Sequence, residues 1–207
     1  KEINQVILGQ VLTAGCGQDP ARQASLLAGL PNTVCTSTVS KVCGSGLEAV
    51  VMADQRIRCG DAEIIIAGGQ ENMSLAPHLL ANSRRGYKYG KFEAQDHMQL
   101  DGLTDAGNKK AMGEIAEQTI KEFGITRQQQ DEYAITSYKR SQSSCTSGHF
   151  KTEITPLQIK GRKKQITLVD QDEEPFNCSI EKTPKLSPAF SNEGSITAAN
   201  ASTISDG

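Results

Sequence analysis

Three short apolar runs, separated by two stretches of helical length, fill the first 67 residues and confine the chain to a layered α/β arrangement. Gln5 to Leu12 (QVILGQVL) reads as a strand running into the turn Gly15 to Gly17. Asp19-Pro20 predicts a helix start, with Asp as N-cap and Pro at the first helical position, and Gly29 with Pro31 ends it. Thr33 to Val42, rich in Thr and Val, reads as a second strand. A second helix is expected from about Gly44 to Cys59, with Leu47, Val50, Val51 and Ile57 on one face and Gly60 as its cap. Glu63 to Ala67 (EIIIA) is a third strand, continuously apolar as expected where both faces of a sheet are covered.

The texture changes after Leu75. Ser83 to Asp101 is loop-like, and Ala106 to Phe123 predicts a helix. Thr126 to Ser147 predicts another helix, opened by a Thr126-x-x-Gln129 capping box. Lys151 to Ile159 and Gln165 to Val169 suggest a hairpin around the basic turn Lys160 to Lys164. The expected organisation is an α/β domain over 1–77, an inserted helical and hairpin subdomain over 78–190, and a return segment over 191–207.

Composition narrows the function classes. A formal net charge of −2 gives no field that would recruit nucleic acid. No apolar run approaches the roughly 20 residues needed to cross a bilayer, so a membrane partner is not expected either. The six cysteines show no CxxC spacing and no His at zinc-ligand intervals, which argues against a structural metal. Their scatter suits a reducing, intracellular compartment.

The chemistry concentrates in Lys41-Val42-Cys43-Gly44-Ser45-Gly46-Leu47. Glycines are poor residues for a first helical turn, each costing about 1 kcal/mol against Ala. A strand ending on Cys, then glycines, then a helix, has the logic of a nucleophile elbow. Free N–H groups at a helix start favour a thiolate there and could stabilise an oxyanion on a thioester carbonyl. On these residues alone, a buried structural Cys beside a tight turn fits equally well.

Further segments resolve the ambiguity. KVCGSGLEAV, AGGQENMSLAP (67–77), DGLTDA (101–106) and TAANASTISDG (197–207), with GQDPARQA (17–24), occur in the order found in thiolases. The chain resembles the amino-terminal half of that family over essentially its whole length. Within the family it is most similar to the short-chain enzymes that act on acetyl-CoA and acetoacetyl-CoA. The resemblance implies that Cys43 is the nucleophile that becomes an acyl-cysteine. It implies coenzyme A contacts at Tyr138, Lys182 and Ser202. It also implies a potassium ion held by Tyr138 and the backbone carbonyls of Ala198, Ala199 and Ala201. Small side chains along such a loop leave room for pantetheine, and carbonyl oxygens suit a hard cation.

The same resemblance implies a homotetrameric parent whose activating His, second Cys and water-orienting Asn lie in a carboxy-terminal half beyond this sequence. His78, His97 and His149 match none of those motifs and read as structural or surface residues. Tyr138 and TAANAST point towards the mitochondrial form, while the opening KEINQVILGQVLTAGCGQ looks equally like the cytosolic one.

Departures from the family pattern are Ser40 for Asn, Glu48 for Lys, Gln70 for Met, Ala111 for His, and Asn177-Cys178-Ser179 for Arg-Val-Asp. Those at Ser40, Glu48 and Ala111, with the carboxy-terminal motifs lying beyond this sequence, keep a second expectation open, a catalytically incomplete thiolase-like chain that binds coenzyme A or a protein partner. A ketoacyl synthase relative would share the Cys elbow but not AGG-x-ENMS or TAANAS.

Overall fold

The computed structural model describes residues 2–161 and 165–206. It divides into two compact units, Lys1–Ala111 with Ile204–Gly207, and Met112–Thr203. That boundary falls well after residue 77, where the sequence changes texture.

The first unit is built on a parallel three-stranded sheet of order β2-β1-β3, with β1 at Gln5–Gly9, β2 at Cys35–Val39 and β3 at Ile65–Gly69. β1 and β2 are shorter than the runs that announce them, although the Gln10 N–H still reaches the Val39 carbonyl at 3.0 Å, and β3 is displaced towards Gly69 from the run Glu63 to Ala67. The intervening helices are α1 (Pro20–Leu27) and α2 (Ser45–Arg58). The core gathers Ile7, Ala49 and Ala53, with Val39, Met52, Ile65 and Ala67 packed against them. Burying Ile7 in it supplies about 1.5–3 kcal/mol, and truncation to Ala would cost about 2–5 kcal/mol.

Two readings of this layer are corrected. The face of α2 laid on the sheet is the small one, Ser45, Ala49 and Ala53, while Leu47, Val50, Val51 and Ile57 are exposed. Small side chains win because α2 must come close: a Cβ on Gly9 would lie 2.3 Å from the Ser45 carbonyl carbon. The run Glu63 to Ala67 is likewise covered on one face only, with Ile64, just before β3, and Ile66 within it exposed.

Asp19 stands at the N-cap position of α1, but its side chain does not cap. With φ at 38° the carboxylate turns to β2 and accepts the hydroxyls of Thr36 (2.7 Å) and Thr38 (2.5 Å). Burial alone would raise its pKa. The two hydroxyls, with the N–H groups of Arg22 and Ala21, outweigh that and hold the carboxyl below its ordinary value.

The remainder of the first unit holds a two-residue ladder, β4 (His78–Leu79) antiparallel to β5 (Gln95–Asp96), and a π-helical turn at Met98–Gly102. Buried His97 fastens this part. Its Nδ1 lies 2.6 Å from an Asp101 oxygen, and its Nε2 accepts the Ala14 N–H at 3.3 Å.

The second unit begins with α3 (Met112–Phe123), not at Ala106 as the apolar pattern suggests. The Asp105 carboxylate accepts the N–H groups of Gly107 and Asn108 and closes a turn there instead. Next comes α4 (Arg127–Ser147), opened by the expected capping box of Thr126 and Gln129. β6 (Leu157–Lys160) and β7 (Ile166–Val169) form an antiparallel hairpin, whose first strand starts at Leu157 and not at Lys151, because the N–H groups of Glu153 and Ile154 turn back to the Phe150 carbonyl. The basic turn between them lies, at Arg162, Lys163 and Lys164, outside the described residues. A short helix α5 (Glu174–Asn177), a 3-10 turn at Thr183–Lys185 and a loop through Ala201 complete the unit.

Candidate active site

In the first unit, Cys43 is exposed between the end of β2 and the start of α2. Two successive tight turns surround it, closed by Gly44 N–H to the Lys41 carbonyl (3.1 Å) and Ser45 N–H to the Val42 carbonyl (3.0 Å). These two N–H groups, which the sequence suggests as free donors at the helix start, are therefore already engaged. Val42 sits at φ 49°, a left-handed conformation that is costly for a β-branched residue. Buried Ser45 supports it: its hydroxyl donates to the Val42 carbonyl and accepts the Lys41 N–H at 2.8 Å. The result is an elbow that presents the Cys43 side chain outward, just ahead of the positive end of α2.

Neighbouring motifs hold this elbow's surroundings. Lys41 pairs with Glu48 on the following turn of α2, so Glu48 has a local electrostatic partner. The pair is solvent-facing and is worth at most about 1 kcal/mol. The Glu71 carboxylate accepts the N–H groups of Val11 (2.8 Å) and Leu12 (3.2 Å), fixing the chain as it leaves β1. Gln70 donates to Gln10 at 2.9 Å. Asp206 accepts the Ser74 N–H at 2.8 Å, and that hydrogen bond holds its carboxyl below the ordinary range.

In the second unit a pocket of about 250 Å³ is lined by Tyr138, Glu174, Cys178, Lys182, Ala198 and Ala199, among others. It gathers four of the residues singled out from sequence, drawn from α4, the segment after α5 and the final loop. Ala201 and Ser202 do not line it. Ala201 N–H is tied back to the Thr197 carbonyl at 3.0 Å, and Ser202 is exposed. The Tyr138 hydroxyl donates to Glu174 at 2.9 Å. Burial, then that hydrogen bond and the charges of Cys178 and Glu174, push the Tyr138 pKa well above its ordinary value, so the phenol stays protonated. Glu174 escaped the sequence reading because an acidic run, Asp172-Glu173-Glu174, looks like a solvated face.

The first unit is thus a parallel βαβαβ layer with an exposed cysteine at an elbow between strand and helix, and comparison with known proteins places the chain. A family model described as the thiolase N-terminal domain matches residues 1–207. The chain belongs to the thiolase family, as its N-terminal domain.

Among its relatives, an acetyl-CoA acetyltransferase of Pseudomonas aeruginosa is 49% identical over 207 residues, covering 100% of this chain and 53% of the relative. One from Allochromatium vinosum is 50% identical over 208 residues, again covering 100% and 53%. A crystal structure of a thiolase from Ascaris suum in complex with coenzyme A superposes with a TM-score of 0.90 at 39% identity, over 99% of this chain and 52% of that one. The chain thus spans about half the length of the relatives it matches.

Proposed function

We propose that the protein containing this chain is an acetyl-CoA C-acetyltransferase that condenses two acetyl-CoA into acetoacetyl-CoA and coenzyme A. The observation that carries the reading is the exposed Cys43 on a strained, hydroxyl-supported elbow at a helix start. The names of the relatives supply the substrate class. In the first half-reaction the Cys43 sulfur attacks the thioester carbonyl carbon. The carbon–sulfur bond to coenzyme A breaks, and the coenzyme leaves as its thiol once protonated. In the second, the methyl of another acetyl-CoA loses a proton to a base supplied elsewhere in the full-length protein, and the resulting carbanion attacks the acyl-cysteine, breaking its carbon–sulfur bond and regenerating the Cys43 thiolate. Covalent catalysis of this kind divides one hard step into two easier ones.

The pocket at Tyr138, Lys182 and Ala198 is proposed to take part of the coenzyme, with Lys182 suited to a phosphate, while a coenzyme contact at Ser202 would lie outside this lining. A potassium ion fits the same group chemically. Tyr138 commits its proton to Glu174, so its lone pairs are what it offers a cation, and the backbone carbonyls of Ala198 and Ala199, with that of Ala201 outside the lining, are hard donors of the right kind. Such an ion would order the loop. A homotetrameric assembly and a mitochondrial location belong to the same proposal, with the cytoplasm as the alternative.

The test is a thiolysis and condensation assay on the full-length protein. Cys43→Ala should abolish both directions. Retention of activity would remove the elbow from the mechanism.

A further inference from the structure

The loop that contributes Ala198 and Ala199 to the pocket has neither strand nor helix to fix it, yet it is fastened from two helices. From α3, the Glu117 carboxylate accepts the N–H groups of Ser195 and Ile196, each at 2.8 Å, and the Ser195 hydroxyl at 3.1 Å. Glu117 comes so near that a Cβ on Gly194 would lie 2.4 Å from its Oε1. From α4, Asp131 Oδ1 accepts the Asn200 side-chain N–H at 2.9 Å. Asn200 passes the constraint on: its Oδ1 accepts the Thr197 N–H at 2.7 Å, and its Nδ2 also donates to the Ser195 carbonyl at 3.1 Å.

Asp131 holds the opposite wall as well. Its other oxygen accepts Arg127 Nε at 2.8 Å, and Arg127 Nη2 donates to the carbonyls of Thr183 and Leu186, each at 3.0 Å. Those carbonyls bracket the 3-10 turn that follows Lys182. One carboxylate, only 4% exposed, therefore joins the Lys182–Leu186 wall to the Ala198–Ala199 wall. Burying a charge is costly unless it is paired and fully hydrogen-bonded, and an apolar residue at such a helix position stabilises a fold as well or better. What the polar solution adds is direction, since each oxygen specifies the place of one wall.

We propose that Asp131 is the positioning residue of this pocket, setting the separation of its two walls through Arg127 and Asn200, so that affinity for the acyl-CoA depends on it while the reactivity of Cys43 does not. The inference rests on the reading that the pocket receives part of the coenzyme.

The experiment uses the full-length protein with acetoacetyl-CoA as substrate and three variants. Asp131→Asn keeps shape but sets an amide N–H against either Arg127 or Asn200, leaving one donor unmet. Asn200→Ala cuts the loop arm while sparing the Arg127 pair. Ala198→Leu fills the pocket directly. The expected result is an apparent KM about tenfold higher for Asp131→Asn and Asn200→Ala, with kcat falling far less and iodoacetamide alkylation of Cys43 in the absence of substrate unchanged. If Ala198→Leu raises KM and the other two do not, the positioning role is overturned and the pocket reading stands. If none of the three raises KM, the pocket reading falls and the inference with it. A loss of Cys43 alkylation alongside kcat in Asp131→Asn would mean a general structural role and would also overturn it. Should Asp131→Asn fail to fold, the KM of Asn200→Ala decides.

Discussion

The Ser45 hydroxyl donates to the carbonyl of Val42, the β-branched residue that holds a left-handed φ of 49° immediately before Cys43. A conformation of this kind costs about 1–3 kcal/mol and persists only where the surroundings impose it. Ser45→Ala should therefore relax the elbow. We expect alkylation of Cys43 by iodoacetamide to slow about tenfold, with a stability loss of about 1–2 kcal/mol. Rate measurements with peptide mapping check this. An unchanged rate would mean that the turn holds Val42 without the hydroxyl.

Close approach of α2 to the sheet depends on Gly9. Its added Cβ would meet backbone atoms of Ser45 and Gly46 at 2.3–2.5 Å, and backbone cannot rotate away as a side chain can. Gly9→Ala should destabilise the protein by about 3 kcal/mol or more, displacing the start of α2 and with it Cys43. Thermal unfolding of the variant measures the cost, and a Tm equal to that of the parent would contradict the packing described.

Asp19 gives a prediction in pH. Its folded-state pKa lies below the ordinary 3.8, so the stability it contributes is present above that value and is lost as pH falls through the folded pKa. Asp19→Asn should lower the Tm at neutral pH. The gap between parent and variant should then narrow below about pH 3.8, as the parent's carboxyl takes up its proton. A gap that stays constant into acid would show that the Thr36 and Thr38 hydroxyls do not favour the charged form.

Tyr138→Phe removes the phenol oxygen while keeping the ring. If potassium orders the Ala198–Ala201 loop, the parent's apparent KM should be lower in potassium than in sodium at equal ionic strength, and the variant should lose much of that difference. Equal constants for the parent in both salts would remove the ion from the account.

Much of the first unit was legible because its signals are local. Short apolar runs between helix starts and stops give β1, α1, β2, α2 and β3 in the right order, and Thr126 with Gln129 gives the capping box of α4 to the residue. Which face of α2 packs was not legible. Apolar periodicity favours Leu47, Val50 and Val51, whereas contact with the sheet is decided by how closely Gly9 and Gly69 let the backbones approach. Asp19 misled for a related reason: an Asp before Pro is a capping pattern, but two threonines on β2 compete for the carboxylate and win.

At the site, the family motifs brought Tyr138, Lys182, Ala198 and Ala199 forward, and the structure gathers them in one pocket. The groups that hold them in place stayed hidden. Glu117, Asp131 and Asn200 act across 69 to 79 residues of sequence, and no spacing rule reveals a contact of that range. Asp131 in particular sits in the polar run Gln128-Gln129-Gln130-Asp131, which reads as a solvated helix face although its carboxylate is buried. Val42 could not be foreseen either, since β-branched residues are rare at positive φ and only the completed turn imposes it.

The central claim is that Cys43 carries the acyl group, and trapping that group tests it most directly. Full-length protein is mixed with acetyl-CoA, quenched in acid, digested and mapped by mass spectrometry while free coenzyme A is counted. The account predicts an acetyl group on the peptide containing Cys43, released coenzyme in matching amount, and neither in Cys43→Ala. Acetylation of Cys16, Cys35, Cys59, Cys145 or Cys178 in place of Cys43, or release of coenzyme that persists in Cys43→Ala, would contradict it.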